Sequence, residues 1–174
     1  MAEYLLELTV ATYQLNLLEN AVDSLEEALR QLGHAEPERP APLKFAILHF
    51  AQFLELLLKR AIANQHPLLI YRSPSTPHVR QSNTLSVREA IQLVQNIGLP
   101  LDEKFVASIE QLQALRNHIQ HHEASIDSNT LLPLLSVCAA GALTFCQATG
   151  IHDVTLLLTA ESRERFFMLL ENSK

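Results

Sequence analysis

The densest group of chemically capable side chains is Arg116-Asn117-His118-Ile119-Gln120-His121-His122-Glu123. An arginine braces a phosphate with two parallel N–H donors. A histidine titrates near neutrality and serves as general acid or base. An asparagine orients either partner. Phosphate binding coupled to proton transfer is the chemistry these residue types share. On a helical wheel at ~100° per residue, Arg116 falls between Ile109 and Leu112, inside the apolar stripe Phe105-Ile109-Leu112-Leu115-Ile119. A long cation on an apolar face needs a partner, a cleft or another chain. Two readings stand for it: an ion pair with a buried carboxylate such as Glu55, or a functional arginine held at an interface. A five-residue offset puts Arg116 and His121 ~140° apart on an unbroken helix. They converge only if the helix loosens near residue 120 or a second chain contributes.

Other chemistries fit less well. His118 and His122 lie i,i+4, a spacing compatible with zinc. No cysteine ligand adjoins them and no His-Glu-x-x-His order is present, so no metal or other cofactor is expected. His49 and His66 read as core or capping residues. Cys138 and Cys146, eight apart in a helical pattern, read as buried small side chains rather than a disulfide. No Gly-rich phosphate loop or Ser-His-Asp order stands out.

The formal net charge is −6, which argues against a protein that coats nucleic acid generally. That average hides a basic segment: residues 56–88 hold Lys59, Arg60, Arg72, Arg80 and Arg88 and no acidic residue. Within it, Arg72, His78, Arg80 and Tyr71 suit a single strand of RNA through charge and stacking. A solvated loop with ordinary charges is the plainer alternative.

These groups must be positioned by helices. The chain has 174 residues, 48% of them hydrophobic, with only 4 glycines, and its apolar residues are mostly Leu and Ala. Few tight turns and good helix formers predict an all-α, up-and-down bundle of five to six helices in one domain. Residues 3–32 read as one long helix with a heptad seam: Tyr4, Ala11, Leu18, Leu25 and Leu32, alternating with Leu8, Leu15, Val22 and Leu29. Gly33 is the expected stop. The seam serves either its own bundle or a partner chain. Pro37, Pro40 and Pro42 separate it from a helix over 43–65 that is apolar almost all round, the mark of a central bundle helix. Its polar residues Gln52, Glu55 and Lys59 share one stripe, with Glu55 and Lys59 in the favourable i,i+4 order.

Residues 66–85 read as an irregular loop, and Ser86-x-x-Glu89 is a capping box that opens a third helix ending near Gly98. A fourth helix is expected from about Asp102 to His122. A fifth, over 129–148, carries Pro133 near its start, so a later start or a kink is expected. The tail 151–172 again has a helical pattern. No apolar run reaches ~18–20 uninterrupted residues, and Met1-Ala2-Glu3 lacks a basic leader region. A cytoplasmic protein without membrane association is therefore expected.

Arg116-Asn117-x-x-x-His121, at the end of an amphipathic helix, resembles the signature of the HEPN superfamily: Arg, four to six residues, then His, with a polar residue after the Arg. Glu55-Leu-Leu-Leu-Lys59 followed by His66-Pro-Leu-Leu-Ile70 resembles the family's core helix and its exit. The resemblance covers roughly residues 43–148. It implies a metal-independent endoribonuclease, or an RNA-binding relative without activity. It also implies a homodimer whose two copies line one cleft. Arg116 takes the place of the motif arginine, Asn117 the polar position, and either His121 or His122 the motif histidine. Glu55 and Lys59 are site-supporting. A toxin or antiviral effector checked by an antitoxin or other regulatory partner is the role such a resemblance suggests. Glu123 and Ala124 stand where some relatives carry a modifiable tyrosine. The competing reading is a non-catalytic helical module that binds a partner protein, RNA or a nucleotide.

Overall fold

The computed structural model describes residues 15–36, 39–122 and 125–171. It is an all-α bundle of six helices: α1 (Leu17–Gly33), α2 (Ala41–Gln65), α3 (Val87–Asn96), α4 (Glu103–His121), α5 (Ser128–Thr149) and α6 (Ala160–Glu171). Among the described residues the only β pairing is two isolated bridges, Glu36 with Arg39 and Tyr71 with Thr84.

The helix expected to run unbroken over 3–32 instead starts at Leu17. Asn16 stops it upstream: its side chain accepts the N–H groups of Leu18 and Glu19, and Glu19 reaches back to the Asn16 N–H. This reciprocal cap satisfies donors that a continuing helix would have bonded internally. Tyr4, Leu8 and Ala11 of the expected seam lie outside the described residues, and Leu15 is exposed. The rest of the seam turns inward. Val22, Leu25 and Leu29 are buried, and α1 packs most extensively on α2.

α2 is the centre of the bundle and meets α1, α3, α4 and α5. Phe50, Phe53, Leu54, Leu57, Leu58 and Ile62 are almost wholly buried. Having neighbours on most sides explains an apolar pattern broken only by the narrow Gln52-Glu55-Lys59 stripe. α2 and α5 are each long and apolar enough to cross a membrane by length and composition, with mean hydropathy 1.4 and 1.7 over their most apolar stretches. In this fold their apolar side chains supply much of the core.

The Ser86–Glu89 box appears as expected, and the two helices that follow α3 also start at capping side chains. Ser86 and Glu89 form the reciprocal box of α3, Asp102 caps α4 and Asp127 caps α5. Gly98 (φ 75°) and Gly150 (φ 68°) take the left-handed conformation just past α3 and α5. Gly33 does not. α1 closes instead through His34 at φ −102°, and the Arg165 guanidinium lies directly over Gly33. Pro133 does not delay α5, which starts five residues earlier. Its missing N–H falls in the exposed early part of the helix.

The tail is not one helix. A short 3₁₀ turn over Val154–Leu157 precedes α6. Glu26 of α1 accepts the Thr159 N–H and the hydroxyls of Thr159 and Ser162, so a carboxylate from another helix caps the start of α6. Arg163 donates to the carbonyls of Thr155, Leu156 and Leu158, closing the preceding turn.

α4 and α5 pack tightly at Gly141, where an added Cβ would lie 2.2 Å from the Phe105 ring. Helix propensity alone favours Gly→Ala by about 1 kcal/mol. Overpacking against the buried ring costs about 1–3 kcal/mol. Gly141→Ala is therefore expected to lower the thermal midpoint, and a rise would show that Phe105 moves aside freely.

Candidate functional site

α2 contributes the stripe foreseen from spacing. Lys59 Nζ lies 2.6 Å from Glu55 Oε1 and donates to Thr84 Oγ1 at 2.9 Å. Lys59 is only 5% exposed, so its ammonium depends on these two oxygens in place of water. The second bond ties α2 to the residues that lead into α3.

α4 brings Arg116 to the same carboxylate. Its Nη1 is 3.7 Å from Glu55 Oε2 and donates to Gln113 Oε1 at 3.3 Å. Gln113 donates in turn to the Ala51 carbonyl of α2. The 3.7 Å contact is an ion pair but too long for a hydrogen bond. Arg116 is held in place, yet its guanidinium retains donors for an incoming anion. Arg116 therefore faces Glu55, the buried-carboxylate partner expected for it, and it also lines an open cleft.

The loop after α2 supplies the remaining wall. Its two ends are pinned by backbone bonds from Arg72 N to Asn83 O (3.1 Å) and Leu85 N to Ile70 O (2.8 Å). The Arg72 guanidinium binds Glu89 Oε2 at 3.0–3.1 Å. Glu89 is thus both the capping-box residue of α3 and the anchor of Arg72. Bonds from the Ser86 backbone and hydroxyl, followed by the contribution of Arg72, hold its carboxyl below the usual carboxylate range. His66 caps the turn Pro67–Ile70 through Nδ1 at the start of the loop, as the capping expectation required.

Together these elements enclose a cleft of about 490 Å³ lined by Glu55, Lys59, Arg72, Arg88, Arg116 and Asn117, with Gln113 and the 84–87 segment. Four cations face one lining carboxylate. Such a surface concentrates positive potential and favours a polyanion over a neutral ligand.

Of the residues singled out from sequence, Glu55, Lys59, Arg72, Arg116 and Asn117 come together. The histidines do not join them. α4 continues unbroken to His121, which is exposed and does not line the cleft. His122 ends the helix, and its ring packs beside His118 at 5.2 Å between centroids. His118 lines a separate cavity between α4 and α5. The helical offset foreseen from spacing therefore holds, and one chain does not bring Arg116 and His121 to the same cleft. His78 (φ 58°) and Arg80 sit in the outer part of the loop, also away from the cleft.

Thr84, Arg88 and Gln113 line the cleft but were not foreseen as site residues. Arg88 sits inside the capping box Ser86-Val87-Arg88-Glu89, a pattern that marked only a helix start. Among the described residues no group of three His, Cys, Asp or Glu side chains could hold a metal. Burial pushes the Cys138 thiol up to about 11, while burial and then the Asp153 charge take Cys146 to about 12. Neither is a thiolate near neutral pH.

No family model, curated protein or solved structure matches the chain.

Proposed function

We propose that this chain is a HEPN-type, metal-independent endoribonuclease that works as a homodimer. The observation that carries the reading is Arg116-Asn117 of α4 opening into a basic cleft beside the Glu55–Lys59 pair. In the proposed reaction the RNA 2′-oxygen attacks the adjacent phosphorus, its proton passing to a base. The P–O5′ bond breaks, and the departing 5′-oxygen takes a proton from an acid. The products are a 2′,3′-cyclic phosphate and a 5′-hydroxyl. The substrate supplies its own nucleophile, so a metal-bound hydroxide has no required part. Arg116 braces the phosphorane charge, Asn117 orients the phosphate, and Lys59 adds positive charge. His121, or His122, moves the proton. Since α4 carries His121 away from its own Arg116, the second copy supplies the histidine side of the site. A cytoplasmic toxin or antiviral effector checked by a protein partner is the role this activity suggests.

The exposure of His121 outside the cleft and the Arg116–Glu55 contact favour one second reading: a module that binds RNA without cutting it. The deciding experiment is RNA cleavage in EDTA by wild type, Arg116→Ala and His121→Ala, with oligomeric state measured in parallel. Cleavage is expected from the wild-type dimer, with cyclic-phosphate ends and no action on DNA. A folded dimer that binds but cuts no RNA pool establishes the module instead. Cleavage that survives both substitutions places the site elsewhere.

A further inference from the structure

The cations of the cleft fall into two sets anchored by different carboxylates on different helices. Lys59 and Arg116 share Glu55 of α2. Arg72 is held by Glu89 of α3, and Arg88 lies one residue before Glu89 in the same first turn. Among the described residues the Arg88 guanidinium has neither an ion pair nor a hydrogen bond, although it lines the cleft. Arg72 is fixed at its backbone by the bond from its N–H to Asn83 O, so its guanidinium has a defined origin. Its pair with Glu89 is solvent-exposed on both sides, with side chains 51% and 44% accessible. Exposed pairs of this kind contribute little to stability. An incoming phosphate therefore displaces or shares Arg72 at little cost.

We propose that Arg72 and Arg88 form a second phosphate subsite, which takes the phosphate next to the one held by Lys59 and Arg116. The cleft then suits a single strand of RNA with consecutive phosphates rather than an isolated phosphate group. This rests on the RNA reading above but not on cleavage. The two subsites are linked by the Lys59–Thr84 bond, which joins Lys59 of α2 to the segment that leads to Arg88. Two guanidinium groups also explain why the subsite suits phosphodiesters: each presents planar paired donors matched to two phosphate oxygens. The cleft volume is in the range that accommodates one small ligand or one nucleotide unit at a time.

The test is binding of a ten-residue 2′-O-methyl RNA, which has phosphates but no attacking hydroxyl, measured by fluorescence anisotropy across a salt series. Wild type, Arg88→Ala, Arg72→Ala and Arg88→Lys are compared, each checked for folding by thermal melting. Each alanine variant is expected to weaken binding about tenfold. Each also loses ~0.7 from the slope of log K against log salt, the signature of one lost phosphate contact on a single strand. Arg88→Lys is expected to restore most of the slope, because it keeps the charge. Wild-type binding and slope in both alanine variants would overturn the subsite, and the proposed cleavage would stand if the EDTA assay shows it. Tight binding that depends on Arg88, without cleavage of unmodified RNA, would keep the subsite and overturn the catalytic reading.

Discussion

Arg116→Ala is expected to lower kcat/KM for the proposed RNA cleavage by about a thousandfold while leaving the fold intact. Arginines that stabilise charge on a transferring phosphoryl group contribute ~10³–10⁵ in rate. The lower end applies here because Lys59 remains nearby as a second cation. The fold should survive because Arg116 contributes little to it. Its contact with Glu55 is 3.7 Å long, and its side chain is 26% exposed. A screened pair of that kind is worth at most about 1 kcal/mol. For a chain of this size that is a shift of about 2–4 °C in the thermal midpoint. Arg116→Lys should fall between wild type and the alanine variant, since it keeps the charge and loses the paired donors. A variant with wild-type kcat/KM would remove Arg116 from the reaction. Lost activity accompanied by a large fall in the midpoint would make it a structural residue.

The second large effect is on stability. Glu55→Ala leaves the Lys59 ammonium almost wholly out of water with only the Thr84 hydroxyl as acceptor. Removing one partner of a fully buried pair costs ~3–5 kcal/mol. Glu55 itself is partly open to solvent, so about 2 kcal/mol is the better expectation. That corresponds to a midpoint about 4–8 °C lower. The double variant Glu55→Leu with Lys59→Met should recover most of the loss, because it removes both charges and keeps the volume. Thermal melting of the single and double variants measures the coupling directly. A Glu55→Ala midpoint within 2 °C of wild type would mean that water reaches Lys59 and the pair is not a support.

The Glu55–Lys59 pair was legible in the sequence because both residues lie on one helix, where a four-residue separation fixes their proximity. The same regularity predicted that Arg116 and His121 diverge. Glu55 as the partner of Arg116 was legible only as one alternative, since nothing local places α4 beside α2. Arg88 was read as part of a helix cap, because its neighbours Ser86 and Glu89 explain the local pattern completely. Its place in the same cleft as Lys59 depends on packing that ties α2 to the α3 lead-in through the Lys59–Thr84 bond, between residues 25 apart. The start of α1 was missed for a different reason. The apolar period continues through Leu15 and Leu18, and only the reciprocal side-chain bonds of Asn16 and Glu19 mark the helix start between them.

The sequence by itself determined that this chain is helical, where the capped helices α3 and α4 begin, and which helix is central. Those properties follow from 3.6-residue periodicity, from capping side chains two or three residues from the N–H groups they satisfy, and from composition. The tertiary structure alone decided that Arg72, Arg88 and Arg116 face one cleft, that Glu89 anchors Arg72, and that Glu26 caps α6 from another helix. It also decided that Arg80 and His78 stand apart from that cleft. These arrangements depend on how the helices pack and how a twenty-residue loop is tied back. Such contacts join residues distant in the chain, and local spacing carries no record of them.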